Sequence, residues 1–416
     1  MKSDKSFYYS KIIYVLLSLT LFIGFFFNED SSGSGGFIDD FNNTWPYVEL
    51  LRETFFVLPS KWVLHTPLHF ILLSKVYILI ENKYFIRLFY CLFSISIPFL
   101  FYLCLKINFP KQNKSNLLTL ASLTFIFPSF RSGAIWANDH ITALFFFLLF
   151  LIYFLKWIKQ ANFKELNINI YLQLFFLALA VYTRQYYALI YIYCMYVYFK
   201  KLDFFNFFKL FFIVFIFSIP GFILIYYDPI LLNLNFDTKL YNTILLNSSI
   251  LSLYLIPIYF VIIFFNKEKL ENTKKQQYLF ILISVTIVLF FSNLFNYNPQ
   301  IGGGYFLKLS YLLMNNEILF FITSIIGIFL LINIAKDNVD NTIIILLLIF
   351  GLSARLIFQK YFEPMFFFIL FLMIKSDILK TYLNKIKNIY FLYFYYGIYL
   401  ITAIINNIYK ITKTVL

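Results

Sequence analysis

The chain has 416 residues, 61% of them hydrophobic and only 13% charged, about half the charged fraction of a soluble domain. Apolar runs long enough to cross a bilayer recur from end to end, which leaves no room for a sizeable soluble domain. The formal net charge of +14 does not indicate nucleic acid as a partner, because the basic residues fall in short loops, where they set orientation in a membrane.

The N-terminus, Met1 to Lys11, is basic and leads into an apolar run ending near Phe27. No small-residue cleavage site is seen after it, so a retained first helix over about 12–27 is expected, running outward from the cytoplasm. A long polar loop, 28–65, comes next. It opens with the flexible stretch Ser31 to Gly36, and Val48 to Leu58 reads as an amphipathic interfacial helix. Apolar segments then fall at about 66–80 and 85–105, followed by a basic linker from Lys106 to Lys114. Two full crossings there would put that linker outside. Either the 66–80 segment, short for a span, is re-entrant or interfacial, or the later segments run with inverted polarity.

Further segments lie at about 116–128, 141–158, 168–182, 186–199, 206–227, 244–265, 278–295, 317–335, 341–358, 361–374 and 389–405. Lys-bearing loops at 156–164, 200–209, 266–277, 336–340 and 375–387 read as cytoplasmic. The expected fold is therefore all-α: one integral membrane domain over 1–416, a bundle of about 11–13 spans with a long first extracytoplasmic loop. Cys91, Cys104 and Cys194 all lie in apolar segments without metal spacing and read as packing residues. The 58 Phe and 34 Tyr suggest an AT-rich coding bias, so aromatic stripes are not read as binding sites. There is no Gly-rich phosphate loop, no dinucleotide pattern and no repeat.

The polar residues that interrupt this pattern carry the chemistry. Asp39 and Asp40 are adjacent carboxylates among aromatics, and their mutual repulsion favours one of them as a proton acceptor near neutral pH. Asn138-Asp139-His140 stands where one apolar segment gives way to the next; Asp139 is either a helix cap or a functional acid. Arg184, followed by Gln185, sits with apolar residues on both sides. That placement is costly unless the guanidinium lines a polar cavity or binds an anion, and its planar fork suits phosphate. Arg355 and Lys360 are similar. Gly302-Gly303-Gly304, followed by Lys308, offers backbone N–H groups that could hold a phosphate, or is simply a flexible loop. His65 and His69 have the i, i+4 spacing of a helical metal pair, but Pro67 marks a helix start and no acidic third ligand is adjacent.

With these residues in place, the layout resembles the GT-C superfamily of polytopic glycosyltransferases. That superfamily has an acidic pair in the first outer loop, here Ile38-Asp39-Asp40-Phe41, and a Pro-containing start to the next helix, here His65-Thr66-Pro67-Leu68. The later positions look most like the dolichyl-phosphate-glucose-dependent glucosyltransferases, through Phe127-Pro128 with Asn138-Asp139 and through Tyr182-Thr183-Arg184-Gln185. The commonest acidic pair there is Asp-Glu and this chain has Asp-Asp; the family's usual polar residues are not obvious around Gly302 to Lys308.

The resemblance implies inverting transfer of a sugar from a polyprenyl-phosphate donor to a glycan, lipid or protein acceptor outside the cytoplasm, in a bacterial inner membrane or the endoplasmic reticulum. It implies a loop carboxylate as general base, Asp39 by its first position in the motif, with Asp40 supporting it. It leaves His65, Asp139, His140, Arg184, Gln185, Lys308 and Lys360 as substrate-binding residues. No cofactor is fixed by it, though a divalent metal is compatible. The physical reading agrees: where nucleotide sugars are lacking, a donor must arrive in the bilayer, and its phosphate needs a fixed cation. A transporter or flippase of lipid-linked sugars would need charged residues mid-span and related halves, and neither is evident. A polysaccharide polymerase would be expected to carry its long outer loop mid-chain.

Overall fold

The computed structural model of the chain describes residues 2–31, 36–54, 65–160, 166–227, 239–265, 274–352, 354 and 356–415. Among them there are helices and turns and no strand. The protein is an all-α polytopic membrane bundle. Among the described residues, eight helical stretches are long and apolar enough to cross a bilayer, or nine if a bent pair counts as one span. Counting the shorter apolar helices Leu68–Ile80, Ile168–Thr183 and Val339–Gly351 with them brings the total into the expected range of 11–13.

The chain groups into two compact units, residues 1–233 with 396–416, and residues 234–395. The first unit begins with α1 (Lys2–Phe26), then a π-helical turn Gly36–Asn42, α2 (Trp45–Glu53), α3 (Leu68–Ile80), α4 (Lys83–Ser94) and α5 (Ser96–Asn108). It continues with α6 (Lys114–Ser122), α7 (Pro128–Ile135), α8 (Asp139–Ile158), α9 (Ile168–Thr183), α10 (Ala188–Lys201) and α11 (Phe204–Tyr227). A helix is found at Trp45–Glu53, with Trp45, Val48 and Leu51 buried; residues 55–58 of the helix expected over 48–58 lie outside the described residues. Helix α3 has 13 residues; at about 1.5 Å per residue it falls short of a bilayer crossing.

Proline shapes the route to the site. Pro128 opens α7 at its first position, where its missing N–H is harmless, and it forces Phe127 into an extended conformation. The helical stretch Lys114–Ile126 therefore breaks, and α7 leaves it at 68°. Helix α8 is the core of this unit: 67% of its most apolar window is buried, and it packs most extensively on α9. Helix α11 is the opposite case, with 11% of its window buried and Phe side chains exposed along it, as suits a surface turned to lipid.

The second unit contains α12 (Leu240–Phe260), α13 (Lys274–Ser292), α14 (Gly304–Met314), α15 (Ile318–Ala335), α16 (Val339–Leu346), α17 (Met365–Leu372), α18 (Asp377–Leu383) and the first part of α19 (Ile386–Val415). Its core is the pair α12 and α15, which approach through small residues. A Cβ on Gly327 would collide with the Ser248 carbonyl, and the Ser324 hydroxyl donates to the Leu245 carbonyl at 3.1 Å. Such close backbone approach is how membrane helices associate without a hydrophobic driving force between them.

Candidate functional site

The site is built on a turn between α7 and α8. The Asn138 N–H donates to the Gly133 carbonyl at 2.9 Å, and Ala137 takes a left-handed φ of 50°. The cap of α8 is Asn138, whose side chain accepts from the His140 N–H at 2.8 Å. This corrects the reading of Asp139 as a cap: Asp139 is the first helical residue, and its carboxylate is free for another partner while lying at the helix end that favours negative charge.

That partner is Arg184. Helix α9 ends at Thr183, Arg184 is extended at φ −145° and ψ 110°, and a short turn, Gln185–Tyr187, leads into α10. The Arg184 Nη2 group pairs with Asp139 Oδ1, and the two side chains are 2% and 3% exposed. Burial disfavours a charged guanidinium, but the Asp139 carboxylate, Tyr186 and Asp40 together outweigh this and raise Arg184 above its ordinary value. Among the described residues, Asp139 Oδ2 and Arg184 Nε are buried without a hydrogen-bond partner. A buried charge pair with unmet donors and acceptors is unfavourable as structure alone.

The chain has three histidines, and His65, His69 and His140 all interact electrostatically with Asp139. His69 Nδ1 is 2.9 Å from the Thr142 hydroxyl, which also bonds the Tyr90 hydroxyl. Tyr90 in turn donates to the Asn138 carbonyl at 3.0 Å. His140 Nδ1 is 3.0 Å from the Tyr186 hydroxyl. The turn of His65 is fastened to α9 by Thr66, whose hydroxyl donates to the Val181 carbonyl at 2.9 Å. His65 precedes α3 and His69 lies within it, so the two do not share a helical face as their spacing suggested. Among the described residues, no group of three or more His, Cys, Asp or Glu side chains is placed to hold a metal ion.

The acidic pair lies on the Gly36–Asn42 turn. Asp39 is exposed and Asp40 half-buried, and Asp40 interacts electrostatically with Arg184. The Thr44 hydroxyl donates to the Asp40 carbonyl at 2.9 Å and fixes the turn's exit. Seven of the sequence-derived site residues, Asp39, Asp40, His65, Asp139, His140, Arg184 and Gln185, thus belong to the first unit.

Gln185 and Thr66 also line a cavity of about 330 Å³ walled by α9, α10 and α11, with Ala178, Tyr182, Phe217 and Gly221 among its residues. The wall of α11 is unusual. The Gly221 N–H donates to the Tyr182 hydroxyl at 3.1 Å, and that hydroxyl donates to the Phe217 carbonyl. The tyrosine hydroxyl thus bridges two backbone groups one turn apart, just beyond Pro220.

Lys308 and Lys360 belong to the second unit. Lys308 is on α14, and Lys360 lies in the turn Gln359–Tyr361 with its ammonium 5.5 Å from the Phe358 ring centroid. The glycine run takes φ values of 78°, 79° and 77° at Gly302, Gly303 and Gly304. Two of the N–H groups that could hold a phosphate there are taken by the protein itself. Gly303 N–H donates to the Ile357 carbonyl at 2.7 Å, and Tyr305 N–H donates to Gln359 Oε1 at 3.1 Å. Gln359 also donates to the Tyr254 hydroxyl, which donates to Glu363, each at 3.0 Å. Arg355 lies outside the described residues, as do 32–35, 55–64 and 266–273 of the loops.

Sequence reading missed Tyr90, Thr142 and Tyr186, ordinary residues in a chain rich in their kind. It also missed Glu29 with Arg131. Arg131 carried the same signal as Arg184, a guanidinium in apolar surroundings. No protein family, curated protein or solved structure matches the chain.

Proposed function

We propose that the protein is a membrane glycosyltransferase of the GT-C type, moving a sugar from a polyprenyl-phosphate donor to an acceptor on the extracytoplasmic face with inversion. The observation that carries this reading is the buried Asp139–Arg184 pair, its Arg184 Nε unpartnered among the described residues, set among all three histidines and within electrostatic reach of Asp40. The arrangement suits an anionic group entering from the bilayer: Arg184 offers a fork for phosphate, and the adjoining apolar cavity offers room for hydrocarbon.

In this mechanism the donor phosphate lies against Arg184. The acceptor hydroxyl gives its proton to a carboxylate of the acidic turn as its oxygen bonds to the anomeric carbon. The bond from that carbon to the phosphate oxygen breaks on the opposite face, and the departing charge is stabilised by Arg184. The family motif points to Asp39 as the base. Asp40 is half-buried where Asp39 is exposed, and it interacts electrostatically with Arg184, which supports Asp40 in that role.

The test is incubation of a radiolabelled polyprenyl-phosphate sugar with membranes that contain or lack the protein. Label appearing in a glycan, lipid or protein acceptor only when the protein is present supports transfer. Label that crosses the membrane unchanged would instead indicate transport.

A further inference from the structure

The acidic turn is tied to one short helix by a dense set of bonds. Arg131 on α7 grips Glu29 with both edges of its fork, Nε to Oε1 at 2.8 Å and Nη2 to Oε2 at 2.6 Å. Its remaining donors reach the Thr20 hydroxyl and the Thr20 carbonyl, each at 2.9 Å, and the Phe125 carbonyl at 3.3 Å. The next residue, Ser132, donates to Asp30 Oδ2 at 2.5 Å, and the same oxygen accepts from the Gly36 N–H at 2.9 Å. Trp136 closes the set: its indole N–H donates to the Glu29 carbonyl at 2.7 Å, and its ring packs on Phe37 at 5.0 Å. Arg87 stacks on the other side of this cluster, 3.6 Å from the Trp136 centroid, and donates to the Ile135 carbonyl at 3.0 Å.

Two features mark this as a specified geometry. Asn28 and Asp30 take left-handed φ values of 49° and 60°, a conformation that must be held by its surroundings. At Gly36 a Cβ would come within 2.5 Å of Ser132 Oγ and of the Trp136 ring, so the turn touches α7 directly. The same C-terminal end of α7 leads on through Trp136 and Ala137 into Asn138 and Asp139. One helix of eight residues therefore carries the acidic turn and the ion pair together.

We propose that Arg131 is a positioning residue. By holding Glu29 it fixes the Gly36–Asn42 turn on α7, and α7 sets the spacing between Asp40 and the Asp139–Arg184 pair. The inference rests on the transferase reading, with Asp40 as base and Arg184 on the phosphate. Arg131→Lys keeps the charge and loses the two-pronged grip.

The experiment uses the full-length protein in membranes, with Cys91, Cys104 and Cys194 replaced and a nitroxide on Asn42→Cys, an exposed position on the turn. In Arg131→Lys the nitroxide spectrum is expected to sharpen, and kcat to fall about 10–100-fold while KM for the donor holds, the pattern of a displaced reacting group. A nitroxide as immobile as in the parent, or a change in KM alone, overturns the proposal. If Arg131→Lys does not accumulate, Ser132→Ala, which cuts only the Asp30 link, is read by the same two measures. If the parent itself moves no sugar, the transferase reading falls with the positioning role, and the spectra decide only whether Arg131 anchors the turn.

Discussion

Arg184 and Asp139 are joined in an ion pair that leaves 2% and 3% of their side chains exposed. The pair ties the end of α9 to the first residue of α8, the two helices that pack most extensively in the first unit. A pair so buried adds little net stability by itself, yet removing one member strands a charge. The two halves of the pair are thus expected to behave very differently when lost singly and together.

Asp139→Asn should lower the unfolding free energy by about 3–5 kcal/mol, because Arg184 keeps its charge without a counter-ion. The double variant Asp139→Asn with Arg184→Gln should recover much of that loss. Thermal unfolding in detergent, read as a double-mutant cycle, checks this. Additive losses would show that the two residues are not coupled.

Arg184 itself is expected to serve the donor. Arg184→Lys keeps the charge and loses the fork, whereas Arg184→Ala loses both. Donor use should weaken in both, and more in Ala than in Lys. Transfer kinetics at equal membrane abundance decide it, and parental rates in both variants would reduce Arg184 to a structural role.

Tyr182 bridges two backbone groups of α11, so its hydroxyl matters beyond its ring. Tyr182→Phe leaves Gly221 N–H and the Phe217 carbonyl without their bridge, and a loss of about 1–3 kcal/mol is expected. A melting temperature equal to the parent's would mean that the bridge adds nothing measurable to the helix.

The outer-face assignment makes a labelling prediction. Asn42 and Lys275 are both exposed, the first on the acidic turn and the second beside a Lys-bearing loop read as cytoplasmic. In a chain lacking its native cysteines, Asn42→Cys should react with an impermeant thiol reagent on intact cells, and Lys275→Cys should not. The reverse pattern would invert the orientation.

Much of this architecture can be read from hydropathy alone, because the bilayer demands long apolar helices and the chain supplies them with few charges. Arg184 was legible for the same reason: a lone guanidinium among apolar residues must have a partner. Its partner was not, since Asp139 lies 45 residues away and only the packing of α8 on α9 brings the two together. The glycine run misled because glycine permits both a free loop and a crowded turn. At Gly302 a Cβ would come within 2.6 Å of the Ile357 carbonyl, so the residue is there for close approach. The choice between Asp39 and Asp40 depends on how a single turn is rotated, which neighbouring identical side chains cannot reveal.

The central claim is that a carboxylate of the acidic turn accepts the acceptor's proton, and Asp40→Asn tests it most directly. The substitution keeps size and hydrogen bonding but removes the base. With Asp39→Asn as comparison, and both variants at parental abundance, transfer from a radiolabelled polyprenyl-phosphate sugar should fall about 10²–10⁴-fold in Asp40→Asn and much less in Asp39→Asn. The opposite ranking would return the role to Asp39, and near-parental turnover in both would contradict the account.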